Sequence, residues 1–227
     1  MSDTATLARL LQLASPMLPV GAYSYSQGLE SAIEAGTVND ATSAEHWIAD
    51  VLELSLCRFE LPILWRLCNA WQVEDREQIR HWNEVFCAGR ETSESHAETL
   101  QMGYSLCRLL QSLNEDSNNQ ASNMLAIPPV SFPSAYACAV AIWNIPLTSS
   151  VQAYAWSWLE NQVSAAMKIV PLGQSDGQRI LFSLGGRLDE LVKTACAIGD
   201  DELSNFAPGL TLAGCQHETQ YSRLFRS

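Results

Sequence analysis

The sequence predicts an all-α protein, a single-domain helical bundle of about eight to ten helices over residues 1–227. Apolar residues recur every three or four positions along most of the chain, which is the spacing of a helix face, and the alternation typical of strands is scarce. The composition agrees, because 47% of the 227 residues are hydrophobic and only 17% are charged. Such a chain has enough apolar side chains to bury one sizeable core.

A rigid loop that leads into a helix is predicted for SPMLPVGAYSYSQGLE, at residues 15–30. Ser24 stands three residues before Gln27, in the spacing of a capping box, and so predicts a helix start; Gly36 can close that helix. The pattern fits either a connection that packs two tyrosines into the core or a binding loop. The segment is defined by Pro16, Pro19, Gly21, Ser24, Gln27, Gly28 and Glu30.

The next helical pattern runs from residue 44 to residue 71. Pro62 interrupts it, and because its nitrogen carries no hydrogen, it cannot donate to the carbonyl of Arg58. A kink, or a junction of two helices, is therefore expected at Pro62.

A further helix is predicted from residue 78 to residue 113, broken near Ser95, which has capping-box spacing to Glu98. Arg90 and Glu94 lie four residues apart in this stretch. We expect them to pair along one solvated helix face.

The second half of the chain begins with a polar, proline-rich stretch at 114–133, which predicts a long flexible loop. Helical spacing returns at 136–143, at 149–170 and at 180–195. The last of these contains the pair Gly185–Gly186. Glycine weakens a helix, so this pair indicates a bend or a close backbone contact.

The charge excludes one class of partner. There are 13 basic and 25 acidic residues, a net charge of −12, and no basic stripe that could follow a nucleic-acid backbone.

No run reaches the ~18 apolar residues of a membrane span, and the N-terminal stretch lacks the basic start and long apolar run of a targeting signal. The seven cysteines are odd in number and form no C-x-x-C pair, which is typical of buried reduced thiols. We therefore expect a cytoplasmic protein without nucleic-acid or membrane partners.

A polar face interrupts the otherwise apolar helix predicted for residues 149–170. At 100° per residue, Glu160, Asn161, Ser164 and Lys168 fall within one arc of about 100°. Lys168 is one of only two lysines in the chain. This cation could end a hydrogen-bonded ridge, or it could be presented to an acidic or phosphate-bearing group of a partner.

The last eleven residues, HETQYSRLFRS, carry a net charge of about +1 and several aromatic and aliphatic side chains. Chain ends are usually polar and disordered, whereas arginine and aromatic residues are enriched in interface cores. The composition therefore favours an interface anchor, within a partner-docking segment 214–227.

Catalytic motifs are missing. The sequence contains no G-x-S-x-G elbow, no H-E-x-x-H helix and no carboxylate cluster, and its four histidines are scattered. One alternative nevertheless stays open, an α-helical metal-dependent hydrolase that uses His96, His217 and nearby carboxylates. A second alternative is a stand-alone helical protein-binding module.

Four segments together resemble the urease accessory protein UreF family. They are SPMLPVGAYSYSQGLE at 15–30, RETSE at 90–94 with Arg90, Glu91 and Glu94, WSWLENQVSAAMKIVPLGQSDGQR at 156–179, and the C-terminal HETQYSRLFRS. The resemblance implies an all-α homodimer without catalytic activity of its own, and we expect no catalytic, cofactor-binding or metal-ligating residues in the chain. It also implies a bridge between an accessory protein called UreD or UreH and the GTPase UreG, in an assembly that delivers nickel to the urease apoprotein, so that nickel and GTP are handled through partners.

The same resemblance assigns roles to residues. Lys168 matches a family lysine proposed to influence GTP turnover, and with Glu160 and Ser164 it is a candidate for the face that meets the GTPase. The segment expected to become ordered on binding the UreD/UreH-type partner comprises His217, Glu218, Gln220, Tyr221, Arg223, Leu224, Phe225 and Arg226.

Overall fold

The computed structural model describes residues 3–113 and 129–227, and the predicted all-α class is confirmed. Within those ranges the chain forms helices and no strand. In the same ranges, no helix has both the length and the apolar character that crossing a membrane requires. The α-helices are α1 (Asp3–Leu13), α2 (Leu29–Glu34), α3 (Ala41–Val51), α4 (Leu61–Gln72), α5 (Arg76–Ala88), α6 (Ser93–Leu113), α7 (Phe132–Ile142), α8 (Leu147–Ile169), α9 (Gln174–Gly185), α10 (Leu188–Ala197) and α11 (Pro208–Glu218).

The core is organised around α7 and α8. α7 is almost uniformly apolar, and it packs between α4 and α6. α8 contacts α1, α2, α3, α4, α9 and α10, so one long helix packs against elements from both halves of the chain. The side chains on its buried stripe have 0–1% of their surface exposed: Val151, Ala155, Leu159, Val163 and Ala166.

The predicted junction at Pro62 is confirmed. A π-helical stretch, Leu52–Glu60, connects α3 to α4, and Pro62 is the second residue of α4. The carbonyl of Arg58, which Pro62 cannot satisfy, accepts a hydrogen bond at 3.1 Å from the backbone N–H of Ser204. A distant segment thus supplies the donor that the proline lacks.

α5 and α6 are separate helices, as predicted, but the predicted cap is wrong. Thr92 caps α6: its hydroxyl accepts from the N–H of Ser95 at 3.1 Å, and the Ser95 hydroxyl accepts from the N–H of Thr92 at 3.3 Å. Arg90 lies before the helix begins, so it cannot pair with Glu94 along one face. It forms an ion pair with Glu60 instead.

The start of α2 also differs from the prediction. Gln27 and Gly28 both adopt positive φ, and the Ser26 hydroxyl, not that of Ser24, accepts from the N–H of Glu30 at 3.2 Å. The predicted capping box of Ser24 and Gln27 is therefore wrong. Gly36 follows the helix at φ +75°, as predicted for a helix-closing glycine.

The loop predicted for 114–133 lies mostly outside the described residues, which resume at residue 129, and α7 begins inside its predicted end. The glycine pair separates α9 from α10. A Cβ on Gly185 would lie 2.9 Å from the ring of Trp156, so the pair marks both a break and a close contact.

Candidate docking site for partner proteins

The C-terminal segment lies along the loop that precedes α2. The N–H of Arg226 donates to the carbonyl of Ser24 at 2.8 Å. The backbone oxygen of Ser227 accepts from the N–H groups of Ser26 and Gln27, at 2.6 and 3.0 Å, and from the Ser26 hydroxyl at 2.6 Å. The segment thus lies against the body of the protein, and its ordering on partner binding stays a prediction.

Glu30, on α2, is the main receptor for this segment. Its buried carboxylate accepts from the N–H of Leu224 at 2.7 Å and from the N–H of Phe225 at 2.9 Å, and it lies 3.2 Å from Nε2 of His217. Gly28 allows α11 to approach, since a Cβ there would lie 3.3 Å from the Cβ of Ala213. A buried carboxylate is stable only when hydrogen bonds compensate its desolvation, and the segment provides them.

A second carboxylate, Glu94 on α6, completes the attachment. It accepts from His217 Nδ1 at 2.6 Å and also pairs with Arg223. Glu218, one residue further, caps α6 by accepting from the N–H and hydroxyl of Ser93 at 2.7 and 2.6 Å, and these hydrogen bonds lower the pKa of Glu218. Charged groups therefore hold the end of α11 on the first turn of α6.

The outward side of this segment carries two exposed apolar side chains among polar and basic ones, Arg223 and Arg226 included. Tyr221 is fully exposed, and 65% of the Leu224 surface is exposed. Phe225, by contrast, is 6% exposed and belongs to the core. We call the exposed pair Tyr221 and Leu224 the docking ridge. Exposed apolar groups fixed on a charged, buried base are typical of an interaction surface.

A buried polar network lies beneath the segment. Gln27 Nε2 donates to Glu98 at 2.7 Å, Gln27 Oε1 accepts from the Trp158 indole at 2.7 Å, and the Ser227 hydroxyl donates to Glu98 at 2.9 Å. Burial raises the pKa of Glu98 to about 7, although the hydrogen bonds that Glu98 accepts from Gln27 and Ser227 lower it. The carboxyl is thus poised to change its charge near neutral pH.

Two cavities adjoin this network, one of about 70 Å³ and one of about 80 Å³. Both are lined by Gln27, Glu60, Arg90, Glu98 and Trp158, which form a shared polar wall. In that wall the Tyr154 hydroxyl donates to Glu60, and the Arg90 guanidinium stacks 4.2 Å from the centre of the Phe86 ring. Each cavity has room for a few water molecules and enough polar groups to hold them.

The polar face of α8 meets the same segment. Asn161 donates to the carbonyl of Tyr25 at 3.2 Å, and Lys168 lies against the rings of Tyr23 and Phe225. Glu160 is half-buried, and its burial raises its pKa. Lys168, a candidate for the GTPase face, therefore lies beside part of the candidate docking segment.

Other candidate residues lie apart or play different parts. Pro16 and Pro19 are exposed in the loop after α1, and Glu91 accepts from the Thr211 hydroxyl, which fastens α11 to the turn before α6. His217 is buried between Glu30 and Glu94 and exposes none of its surface, so it supports the docking ridge from beneath. In the described ranges no three His, Cys, Asp or Glu side chains are arranged to hold a metal ion.

Several residues of the site were missed. Ser26 and Trp158 lie inside two of the four recognised segments but were given no role there, and Glu60 lies outside all four. Their partners lie 94 to 201 residues away in the sequence. One signal was available: Glu60 is the only charged residue in the stretch 59–65, and such a buried group requires partners.

Comparison with known proteins decides the family. The family model described as UreF matches residues 38–185. The chain is 56% identical over 227 residues to the urease accessory protein UreF of Methylobacillus flagellatus, with both chains covered in full. The chain belongs to the UreF family. It is also 54% identical to the UreF protein of an Azoarcus species, over 97% of this chain and 95% of the relative, and 47% identical to that of Dechloromonas aromatica over the full length of both. UreF membership confirms the resemblance drawn from the four segments.

Proposed function

We propose that this chain is a non-catalytic scaffold of urease maturation that acts in the cytoplasm. It bridges a UreD/UreH-type accessory protein and the GTPase UreG, and regulates the GTP-dependent delivery of nickel to the urease apoprotein. The observation that carries this proposal is the docking ridge, since it presents apolar side chains outward while its base is fixed by buried charges. The relatives' name, urease accessory protein, supports the same role.

The ridge suits an apolar partner surface. Between residues 203 and 222 the only carboxylate or guanidinium is that of Glu218, and it is occupied by Ser93. Arg223 and Arg226 flank Leu224, so in a chain of net charge −12 this surface combines exposed apolar side chains with basic ones. We assign this surface to the UreD/UreH-type partner.

Nickel and GTP are handled by the partners in this proposal. The chain holds the partner proteins in place and contributes no reactive groups. The exposed end of α8, with Lys168, is the candidate face for the GTPase. The family membership also leaves no reason to keep a helical module unrelated to urease, and the hydrolase alternative has its His217 committed to two carboxylates.

The direct test is reconstitution. The chain is coexpressed with the two other accessory proteins and the urease subunits, and nickel-dependent urease activity is measured with and without it. We expect a complex that co-purifies, and urease activation that requires the chain. Full activation when the chain is omitted, with no complex recovered, would contradict the proposal.

The ridge can be tested without disturbing the core. Deleting 217–227 would remove buried Phe225 and His217, so exposed positions are the sharper probe. Changing Tyr221→Ser together with Leu224→Ser should abolish co-purification with the UreD/UreH-type protein and leave the circular dichroism spectrum unchanged. Val73→Ser, on an exposed apolar residue after α4, is the matched control and should bind normally.

Self-association completes the proposal. Low charge on an apolar helical chain, together with the family resemblance, supports a homodimer. Light scattering at micromolar concentration should report about twice the 25.0 kDa mass of one chain, and a monomer mass would contradict this part.

A further inference from the structure

Lys168 lies between two aromatic rings at the end of α8. Its Nζ is 5.3 Å from the centre of the Phe225 ring and 5.7 Å from the centre of the Tyr23 ring. Both distances are within the ~6 Å over which a ring attracts an ammonium group. In the described part of the chain no carboxylate forms an ion pair with Lys168, and its ammonium makes cation–π contacts with both rings.

The two rings belong to segments that depend on each other. Tyr23 lies in a short 3₁₀ turn entered through Gly21 at φ +83°, and Phe225 lies in the C-terminal segment. Their neighbours are joined by the hydrogen bond from the N–H of Arg226 to the carbonyl of Ser24. The ammonium is therefore a further link between the loop and the segment, beside this hydrogen bond and those from Ser26 and Gln27 to Ser227.

We propose that Lys168 is a positioning residue that clips the Tyr23 turn to Phe225 and thereby holds the docking ridge in its ordered conformation. It acts on the GTPase through this conformation and not by placing its charge in the GTPase active site. The effect on the GTPase rests on the proposed function. The clip itself, the contact of Lys168 with the two rings, is a property of the free chain.

The first test therefore uses the isolated full chain. Hydrogen–deuterium exchange is measured at the amides of Ser26, Gln27 and Arg226, whose N–H groups bond across the loop–segment contact. Lys168→Met should accelerate their exchange about five- to thirty-fold, because two cation–π contacts are lost. Lys168→Arg keeps a cation over the rings and should exchange as the wild type does.

Two outcomes would overturn the clip: exchange in Lys168→Met that equals the wild type, or exchange in Lys168→Arg that is as fast as in Lys168→Met. Amides of α7 serve as the internal reference. That helix is buried and lies far in sequence from Tyr23 and Phe225, so its amides should stay protected from exchange in every variant.

A double-mutant cycle isolates the pair. Phe225→Leu removes the ring while keeping an apolar side chain, and it should accelerate the same amides. Once the ring is gone, adding Lys168→Met should produce a smaller further change than it does in the wild type. Equal effects of Lys168→Met in both backgrounds would show that Phe225 is not its partner.

The functional test separates an indirect role from a direct one. GTP hydrolysis by UreG is measured in the assembled complex with each variant. We expect Phe225→Leu to reproduce the effect of Lys168→Met, and Lys168→Arg to restore wild-type hydrolysis. A loss confined to Lys168→Met would assign the lysine a direct contact. Failure of the wild-type chain to assemble would instead count against the proposed function and leave the exchange result standing.

Discussion

The imidazole of His217 lies 2.6 Å from the carboxylate of Glu94 and exposes none of its surface to solvent. Its other nitrogen lies 3.2 Å from Glu30, so one buried ring joins α11 to both α2 and α6. This contact places a residue from the end of the chain in its interior. The docking ridge is therefore a product of the fold, and its stability should follow that of the core.

Replacing His217 should destabilise the whole protein. His217→Ala leaves two largely buried carboxylates without a shared partner, and we expect the free energy of unfolding to fall by about 3 kcal/mol. Urea denaturation followed by circular dichroism measures this change. His96→Ala, at a partly exposed position on α6, is the control and should stay within about 0.5 kcal/mol. Equal stabilities of the two variants would contradict the role given to His217.

Glu98 should make stability depend on pH. Burial raises its pKa from 4.5 to about 7 in the folded protein. A carboxyl with a higher pKa when folded contributes stability that is complete below about pH 4.5 and is lost as the pH rises through about 7. Glu98→Gln should therefore gain stability relative to the wild type between pH 5 and pH 8, by up to about 3 kcal/mol.

Unfolding by urea at pH 5, 6, 7 and 8 checks this prediction. Glu218→Gln is the control, because hydrogen bonds lower the pKa of Glu218 and its charge does not change over that range. A stability difference between Glu98→Gln and the wild type that does not vary with pH would show that Glu98 keeps an ordinary pKa.

Local spacing predicted the helices well because helix formation is a local property. The 3.6-residue period placed α8 within two residues of its observed ends, and the lone proline of the 44–71 pattern marked the α3–α4 junction. The site depended on contacts that no local pattern encodes. The hydroxyl of Ser26 meets Ser227 across 201 positions of sequence, and Phe225 is buried while Tyr221, four residues earlier, is fully exposed.

Gly103 should tolerate no side chain. A Cβ at this position of α6 would lie 2.3 Å from the carbonyl oxygen of Val130 and 2.8 Å from the backbone of Ser131, which cannot move aside as a side chain can. Gly103→Ala should lower the free energy of unfolding by about 2 kcal/mol or more. Gly209→Ala, in the first turn of α11 with no atom within 4 Å, is the control and should be neutral or slightly stabilising. Thermal unfolding of both variants distinguishes the outcomes.

The final prediction concerns the two serines on either side of Tyr25. The hydroxyl of Ser26 is buried, donates to Ser227 at 2.6 Å and accepts from the N–H of Glu30 at 3.2 Å. Ser26→Ala removes both hydrogen bonds and leaves buried groups unsatisfied, so the free energy of unfolding should fall by about 2 kcal/mol.

Ser24 was the serine that sequence spacing selected, yet its hydroxyl forms no hydrogen bond with any other residue the structure describes. Ser24→Ala should therefore change the free energy of unfolding by less than about 0.5 kcal/mol. The same two variants should also differ in co-purification with the UreD/UreH-type protein. Only Ser26→Ala should weaken it, because only that change loosens the base of the docking ridge. A larger loss of stability and of co-purification in Ser24→Ala would restore the cap predicted from spacing and remove Ser26 from the site.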